Sequence, residues 1–367
     1  MHTRPRVLLL WSALVVAASA APAAADVLTV PGDYATVQAA IDAAQTGDTV
    51  LVGRGSWNEN VVISGKTGIT LRGRRGAELR DTEGLPALTI RDASDVRVEG
   101  LGVTGAAAGV LAVRATRLVL TRIVARDCGT EGIWIDGCDD VLVERCSVVA
   151  SGEEGLRVLG TESEQVSTSV RVLRCQFSRT DGDAIDIVDG DGVLVERCVV
   201  RDCIDDSVDV ARASRDVSFV RCTIVAGDDG FQIDAEGTLV SRCKVIACGE
   251  DAFDLNGEGI VVERSIAIRP ASDGFDLTAA SAEPPFPGNC RIERCRVASP
   301  GEDGVNARTA GNTFERVKVS RAGQAGFRFT PDAVGNTVTR CVARGSGGLD
   351  LDDANETGAN TFVDSRF

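Results

Sequence analysis

One short segment, a small residue followed by apolar–any–apolar, returns along the chain at nearly constant spacing. It begins at Gly109, Gly132, Gly155, Ala184, Ser207, Gly230, Ala252, Gly274, Gly304, Gly326 and Gly348. Successive starts differ by 23, 23, 29, 23, 23, 22, 22, 30, 22 and 22 residues, so eight of ten intervals agree within one residue. Each repeat carries three apolar stretches of alternating pattern, such as Val141-x-Val143, Cys146-x-Val148 and Leu156-x-Val158. These read as strands, being too short for helices and separated by turn residues.

A repeat of this length with three strands and no crossover helix predicts one coil of a parallel β-solenoid. Each strand then pairs with its counterparts about 4.8 Å above and below. The Leu-x-x-Leu-x-Leu-x-x-Asn pattern of a leucine-rich repeat is absent. The fold expected is all-β, a solenoid of about 12–13 coils within residues 26–367, with residues 26–50 as an N-terminal cap and 51–367 as coils. In that cap Thr36 N-caps a short helix whose apolar face is Val37, Ala40, Ile41 and Ala44, and Gly47 stops it. Such a helix covers an open sheet edge that would otherwise pair with other chains. No comparable cap follows Asn360-Thr361-Phe362, which leaves that end bare or covered by a partner.

The start of the chain reads as an export signal spanning residues 1–25. Arg4 and Arg6 precede an apolar run over 7–20, and Ala23-Ala24-Ala25 fits a small-residue cleavage site. The run is short of the roughly 20 residues that span a bilayer, and no later segment reaches that length. No cysteine stands near the cleavage point to carry a lipid. The expected location is therefore secreted, periplasmic or on the cell surface. The lone histidine is His2, so the mature chain lacks imidazole and every triad or metal site built on it. A net charge of −15 disfavours nucleic acid and anionic membranes as partners.

The opening 30–44, Val30-Pro31-Gly32-Asp33-Tyr34-Ala35-Thr36-Val37-Gln38-Ala39-Ala40-Ile41-Asp42-Ala43-Ala44, leads into Gly47-Asp48-Thr49-Val50 and then the coils. This resembles the right-handed parallel β-helix proteins of the pectate lyase-like superfamily over nearly all of the mature chain. The resemblance implies a right-handed coil and a polysaccharide lying along a strand face. It also implies catalysis by Asp with Arg or Lys, often with calcium. Thr180-Asp181-Gly182-Asp183 and Gly227-Asp228-Asp229-Gly230 are faintly similar to the paired-aspartate coils of polygalacturonase-like hydrolases, and Asp273-Gly274-Phe275-Asp276 to a motif of alginate epimerases. Those families add a histidine that the mature chain lacks. The lysyl–arginyl base of the lyases has no counterpart, since Lys66, Lys244 and Lys318 stand off the strand column.

Several columns read as structural. Cys146, Cys175, Cys198, Cys222, Cys243, Cys295 and Cys341 share one inward repeat position. Adjacent Cβ atoms there stand about 4.8 Å apart with parallel vectors, whereas a disulfide wants roughly 3.8 Å, so a buried thiol stack is expected. Local bridges within Cys198/Cys203, Cys243/Cys248 and Cys290/Cys295 remain open. Paired Cys-x-x-Cys knuckles for zinc are missing. Arg122, Arg145, Arg174, Arg197, Arg221, Arg242, Arg264, Arg294, Arg316 and Arg340 form a solvated ridge beside Glu144, Glu196, Glu263, Glu293 and Glu315. Asn312, Asn336 and Asn360, spaced by 24, read as a hydrogen-bonded ladder.

Two acidic columns carry the functional expectation. Before the strand anchors stand Glu131, Glu154, Asp183, Asp206, Asp229, Asp251, Asp273 and Asp303. Three residues later, outward on the strand, come Trp134, Arg157, Asp186, Asp209, Gln232, Asp254, Asp276, Asn306, Arg328 and Asp350. Two unit charges 4.8 Å apart in water repel by about 0.9 kcal/mol, so a cation, hydrogen bonds or raised pKa values must offset the run. A first-column Asp can set its turn by accepting backbone N–H bonds. A mid-strand Asp has poor β-propensity and no such structural reason. Extra residues over 160–168 and 279–288, five coils or roughly 24 Å apart, would wall a groove with the second column as floor.

The leading expectation is an exported β-helix that recognises polysaccharide along this face, with Trp134, Arg157, Gln232, Asn306 and Arg328 on the sugar. Calcium would sit on Asp183, Asp206, Asp229, Asp251 and Asp273. A rival makes the protein a polysaccharide lyase or glycoside hydrolase, with Asp186, Asp209, Asp254 or Asp276 as acid, base or metal ligand. A third reading is a structural or surface-display solenoid whose face binds nothing. Oligomeric state is left open.

Overall fold

The computed structural model describes residues 25–81, 83–105, 107–160, 165–278, 288–355 and 359–367. The expected export signal therefore lies outside the described residues, apart from Ala25, as do 161–164 of the first extra segment expected to wall a groove and all of the second but Gly288.

The three apolar stretches of each repeat form strands of three separate parallel sheets. Sheet 1 runs from Val27–Val30 and Thr49–Val52 to Thr361–Val363. Sheet 2 runs from Gly55–Asn58 to Val342–Arg344, and sheet 3 from Val61–Ser64 to Leu351–Asp353. Sheets 2 and 3 hold 13 strands each, which makes thirteen complete coils with a further sheet-1 strand at either end. The repeat spacing is thus the coil length, as expected, and each anchor segment becomes a sheet-3 strand.

Inward positions stack into one continuous apolar core, because a side chain at a given coil position meets the same position one coil away. Phe253 lies between Phe231 (ring centroids 5.4 Å apart, planes at 5°) and Phe275 (4.7 Å, 9°). All twelve cysteines are free and buried, and several thiols donate to carbonyls of the preceding coil, as Cys222 does to Val195 at 3.5 Å. None of the spacing-of-five pairs is bridged. The strand between each such pair, for example Val199–Arg201, holds the two sulfurs at its opposite ends.

The arginine ridge occupies the turn from sheet 1 to sheet 2, and all ten of its residues adopt the left-handed conformation, from φ 53° at Arg122 to φ 57° at Arg221 and Arg242. Glu144 and Glu196 each pair with two of these arginines. The asparagine ladder forms as expected: the Asn312 N–H donates to Asn336 Oδ1 (2.8 Å) and the Asn336 N–H to Asn360 Oδ1 (2.9 Å).

Helix α1 (Val37–Ala43) closes the first coil. Thr36 accepts from the Ala39 N–H, and Glu59 of the next coil accepts from the N–H groups of Val37 and Gln38. Val37, Ala40, Ile41 and Ala44 are buried beneath it, as its apolar spacing requires. At the opposite end Val363 and Phe367 stay 42% and 39% exposed. Phe362 and Phe367 pack edge-on against Phe329 and Phe327, so an aromatic cluster stands where no cap was expected.

Candidate functional site

Sheet 3 brings the second column into one unbroken row. Trp134 pairs in register with Arg157, Arg157 with Asp186, and Asp186 with Asp209. Gln232 follows, then Asp254, Asp276, Asn306 and Arg328. The row ends on Asp352, not Asp350, because Phe327 aligns with Leu351. Leu349 mimics the apolar anchor of that coil but is 63% exposed, while Asp350 accepts the Ser346 N–H.

These side chains point away from the core, yet they are far less exposed than outward strand positions would be. Asp186, Asp276 and Asn306 are only 4%, 6% and 7% exposed. Each is flanked by its neighbours on the coils above and below, and first-column carboxylates cover the same face. Stacking therefore buries what one strand alone would leave in water.

The first column forms a carboxylate ladder. Asp183 Oδ1 accepts the N–H of Asp206 (3.0 Å), Asp206 that of Asp229 (2.8 Å), and Asp229 that of Asp251 (2.7 Å). Asp251 accepts from Asp273, Asp273 from Asp303, and Asp303 from Ala325. Each carboxylate thus satisfies a backbone donor of the next coil, the turn-setting role open to these residues. One oxygen remains on each, and it serves Asn306 at Asp273 and Arg328 at Asp303.

Besides Glu131/Glu153/Glu154 at the Arg157 end, three acidic groups along the row could hold a cation, each with one carboxylate oxygen per residue and all within 4.8 Å of one another. They are Asp183/Asp186/Asp209, Asp183/Asp205/Asp206 and Asp251/Asp254/Asp276. The first and third have the same construction: a first-column Asp, the second-column Asp of its coil and that of the next coil. Gln232 separates them. Asp229 and Asp273, expected among the calcium ligands, join no such group among the described residues, and Asp206 joins only beside Asp183 and Asp205.

Burial, with neighbouring carboxylates second, pushes this face toward neutrality. Asp183 and Asp229 rise to about 8, Asp186, Asp251 and Asp276 to about 7, and Asp206, Asp209 and Asp303 to about 6. At Asp186 burial outweighs the opposing Arg157 guanidinium, 3.2 Å from its Oδ2. Carboxyls that titrate near neutral pH can donate or accept a proton there. Carboxylates one coil apart stand about 5 Å from each other, the separation of a retaining glycosidase pair.

Arg157 also lies 3.7 Å from Glu131 and from Glu154, closing the row at one end beside Trp134. Arg308 was not expected at the site, yet its Nη2 lies 3.3 Å from Asp276 Oδ2. It stands two positions past Asn306, on the same face by strand alternation, and that spacing is the signal that could have found it. Asn256, two past Asp254, likewise donates to it at 2.9 Å.

Residues 108–286 match the family model described as the right handed beta helix region. No curated protein matches the sequence. Among solved structures, the catalytic domain of a GH87 alpha-1,3-glucanase in complex with nigerose aligns at 10% identity with a TM-score of 0.54, over 94% of this chain and 70% of that one. The catalytic unit of a thermostable GH87 alpha-1,3-glucanase from Streptomyces thermodiastaticus strain HF3-3 aligns at 13% identity and 0.50, over 96% and 69%. The pre-mature bacteriophage phi29 gene product 12 aligns at 12% and 0.64, over 87% and 51%. At these identities the likeness is one of fold, and this chain is a right-handed parallel β-helix.

Proposed function

We propose that the sheet-3 face of this right-handed parallel β-helix receives an extended polysaccharide. The observation that carries the reading is the unbroken row from Trp134 to Arg328, eight coil steps or about 38 Å long. It offers an aromatic ring, buried acceptors and two arginines along one line. The solved glucanases that share the fold act on glycans, as their names state, which agrees with this use of the scaffold. Any calcium bound on this face would use the mixed trios Asp183/Asp186/Asp209 and Asp251/Asp254/Asp276, not the first column alone.

The hydrolytic reading keeps a specific support. Asp186 and Asp276 titrate near neutrality in direct register with Asp209 and Asp254. One assay separates the alternatives: incubate the protein with a panel of polysaccharides, with calcium and with chelator, and measure retention together with new reducing or unsaturated ends. Retention without product is expected of a binding protein. Product assigns catalysis, and neither retention nor product leaves only a structural solenoid.

A further inference from the structure

We infer that the glycan this face takes is cationic, a polymer of amino sugars whose ammonium groups satisfy the strip of carboxylates. The inference rests on the polysaccharide reading above and names the class of chain.

The sheet-3 strands between Arg157 and Arg308 carry Asp186, Asp209, Gln232, Asp254 and Asp276 and not one basic residue. Alongside them runs the ladder of Asp183, Asp206, Asp229, Asp251 and Asp273. Among the described residues of this stretch the buried side-chain atoms without a hydrogen-bond partner are acceptors, Asp186 Oδ1, Asp276 Oδ1 and, one coil on, Asn306 Oδ1, while the donors of the row lacking a hydrogen bond, Trp134 Nε1, Arg157 Nε and Arg328 Nε, stand at its ends. The three acceptor side chains are more than nine-tenths buried, at 4%, 6% and 7% exposure. Asn306 does not titrate, so protonation cannot answer its need. What is missing is a hydrogen-bond donor. A neutral sugar hydroxyl donates but leaves the charge unopposed, and a uronate adds charge of the same sign. An ammonium group supplies three donors and a positive charge together.

A metal ion answers the same charge less completely. Calcium takes six to eight oxygens, and with one carboxylate oxygen from each residue a trio supplies three of them. Carbonyls of these coils are already committed: Val208 O accepts from Gln232, Phe231 O from Asp254 and Phe253 O from Asp276. The acidic groups also recur coil after coil, about 4.8 Å apart, which suits a polymer charged along its length more than an isolated ion. Arg157 and Arg308 pair with the two outermost aspartates and mark where the acidic strip stops.

The test is calorimetric titration of the full chain at low salt with three oligomers of equal length: glucosamine, N-acetylglucosamine and galacturonate. Spermine serves as a non-glycan polycation. Glucosamine oligomers should bind roughly tenfold or more tightly than the N-acetylated ones, the factor of one charge-assisted hydrogen bond. Asp186→Asn and Asp276→Asn should each weaken that binding severalfold, with unchanged circular dichroism and melting. Arg97→Ala, on sheet 1, should leave it unchanged. Equal or tighter binding of either other oligomer overturns the cationic class while the polysaccharide reading stands. Equal binding by spermine, or a requirement for calcium, also overturns it. Binding of no glycan here or in the wider panel fells both.

Discussion

At Asp229 one carboxylate oxygen is committed to the N–H of Asp251, and burial with like-charged neighbours lifts the group to about 8. The asparagine ladder shows the same bond made without charge, from the Asn312 N–H to Asn336 Oδ1. Asp229→Asn should therefore keep the rung and relieve repulsion, leaving stability equal or higher at pH 8. Asp229→Ala removes the acceptor, strands the Asp251 N–H and should cost about 1–3 kcal/mol in denaturant unfolding. The ladder as a whole makes stability fall with rising pH. Asp183, Asp206, Asp229, Asp251 and Asp303 titrate at about 6 to 8 in the folded chain against 3.8 for a free aspartate, and Asp273 is raised by burial as well, so the folded state holds more protons over that interval. Their contribution is complete below about pH 4 and is lost as pH rises through 6 to 8. Melting in chelator should occur at a higher temperature at pH 5 than at pH 8.5, and calcium should raise the melting temperature more at pH 8.5. The ladder's acceptor carboxylates were legible in the repeat spacing. The burial of Asp186 and Asp276 was not, because exposure of an outward strand position depends on coils that one strand does not reveal.

In the turn from sheet 1 to sheet 2, one left-handed residue reverses the chain at coil after coil, and this chain places arginine there. A left-handed backbone costs a non-glycine residue about 1–2 kcal/mol. Arg242 lies at φ 57°. Arg242→Gly should then be neutral or stabilising by up to about 1 kcal/mol, whereas the β-branched Arg242→Val should destabilise, both read from denaturant midpoints. The arginine column is plain in the sequence, but its conformation is not, since glycine or asparagine is the usual signal for positive φ. Strand positions were legible wherever alternation ran inward and outward. They slipped by two residues only at the last coil, where exposed Leu349 imitates the partly buried anchor Leu351.

Over the whole molecule, a single repeat length sets the coil, the coil stacks each position on itself, and stacking turns ordinary residue choices into columns. Core, thiol stack, arginine ridge and acidic face all follow from that one constraint, which is why the architecture could be read before any coordinate. What surrounds the face went unread, because Arg308 and Asn256 stand off the counted columns and are found only by carrying strand alternation two residues further. The account's central claim is that sheet 3 is where a polysaccharide lies. Carbodiimide labelling of carboxyl groups, read by mass spectrometry with and without a retained glycan, tests it directly. Protection of Asp209 and Asp254, with unchanged labelling of Glu144, Glu196 and Glu315 on the arginine ridge, is the predicted result. Protection of the ridge, or none on sheet 3 while glycan is bound, would contradict it.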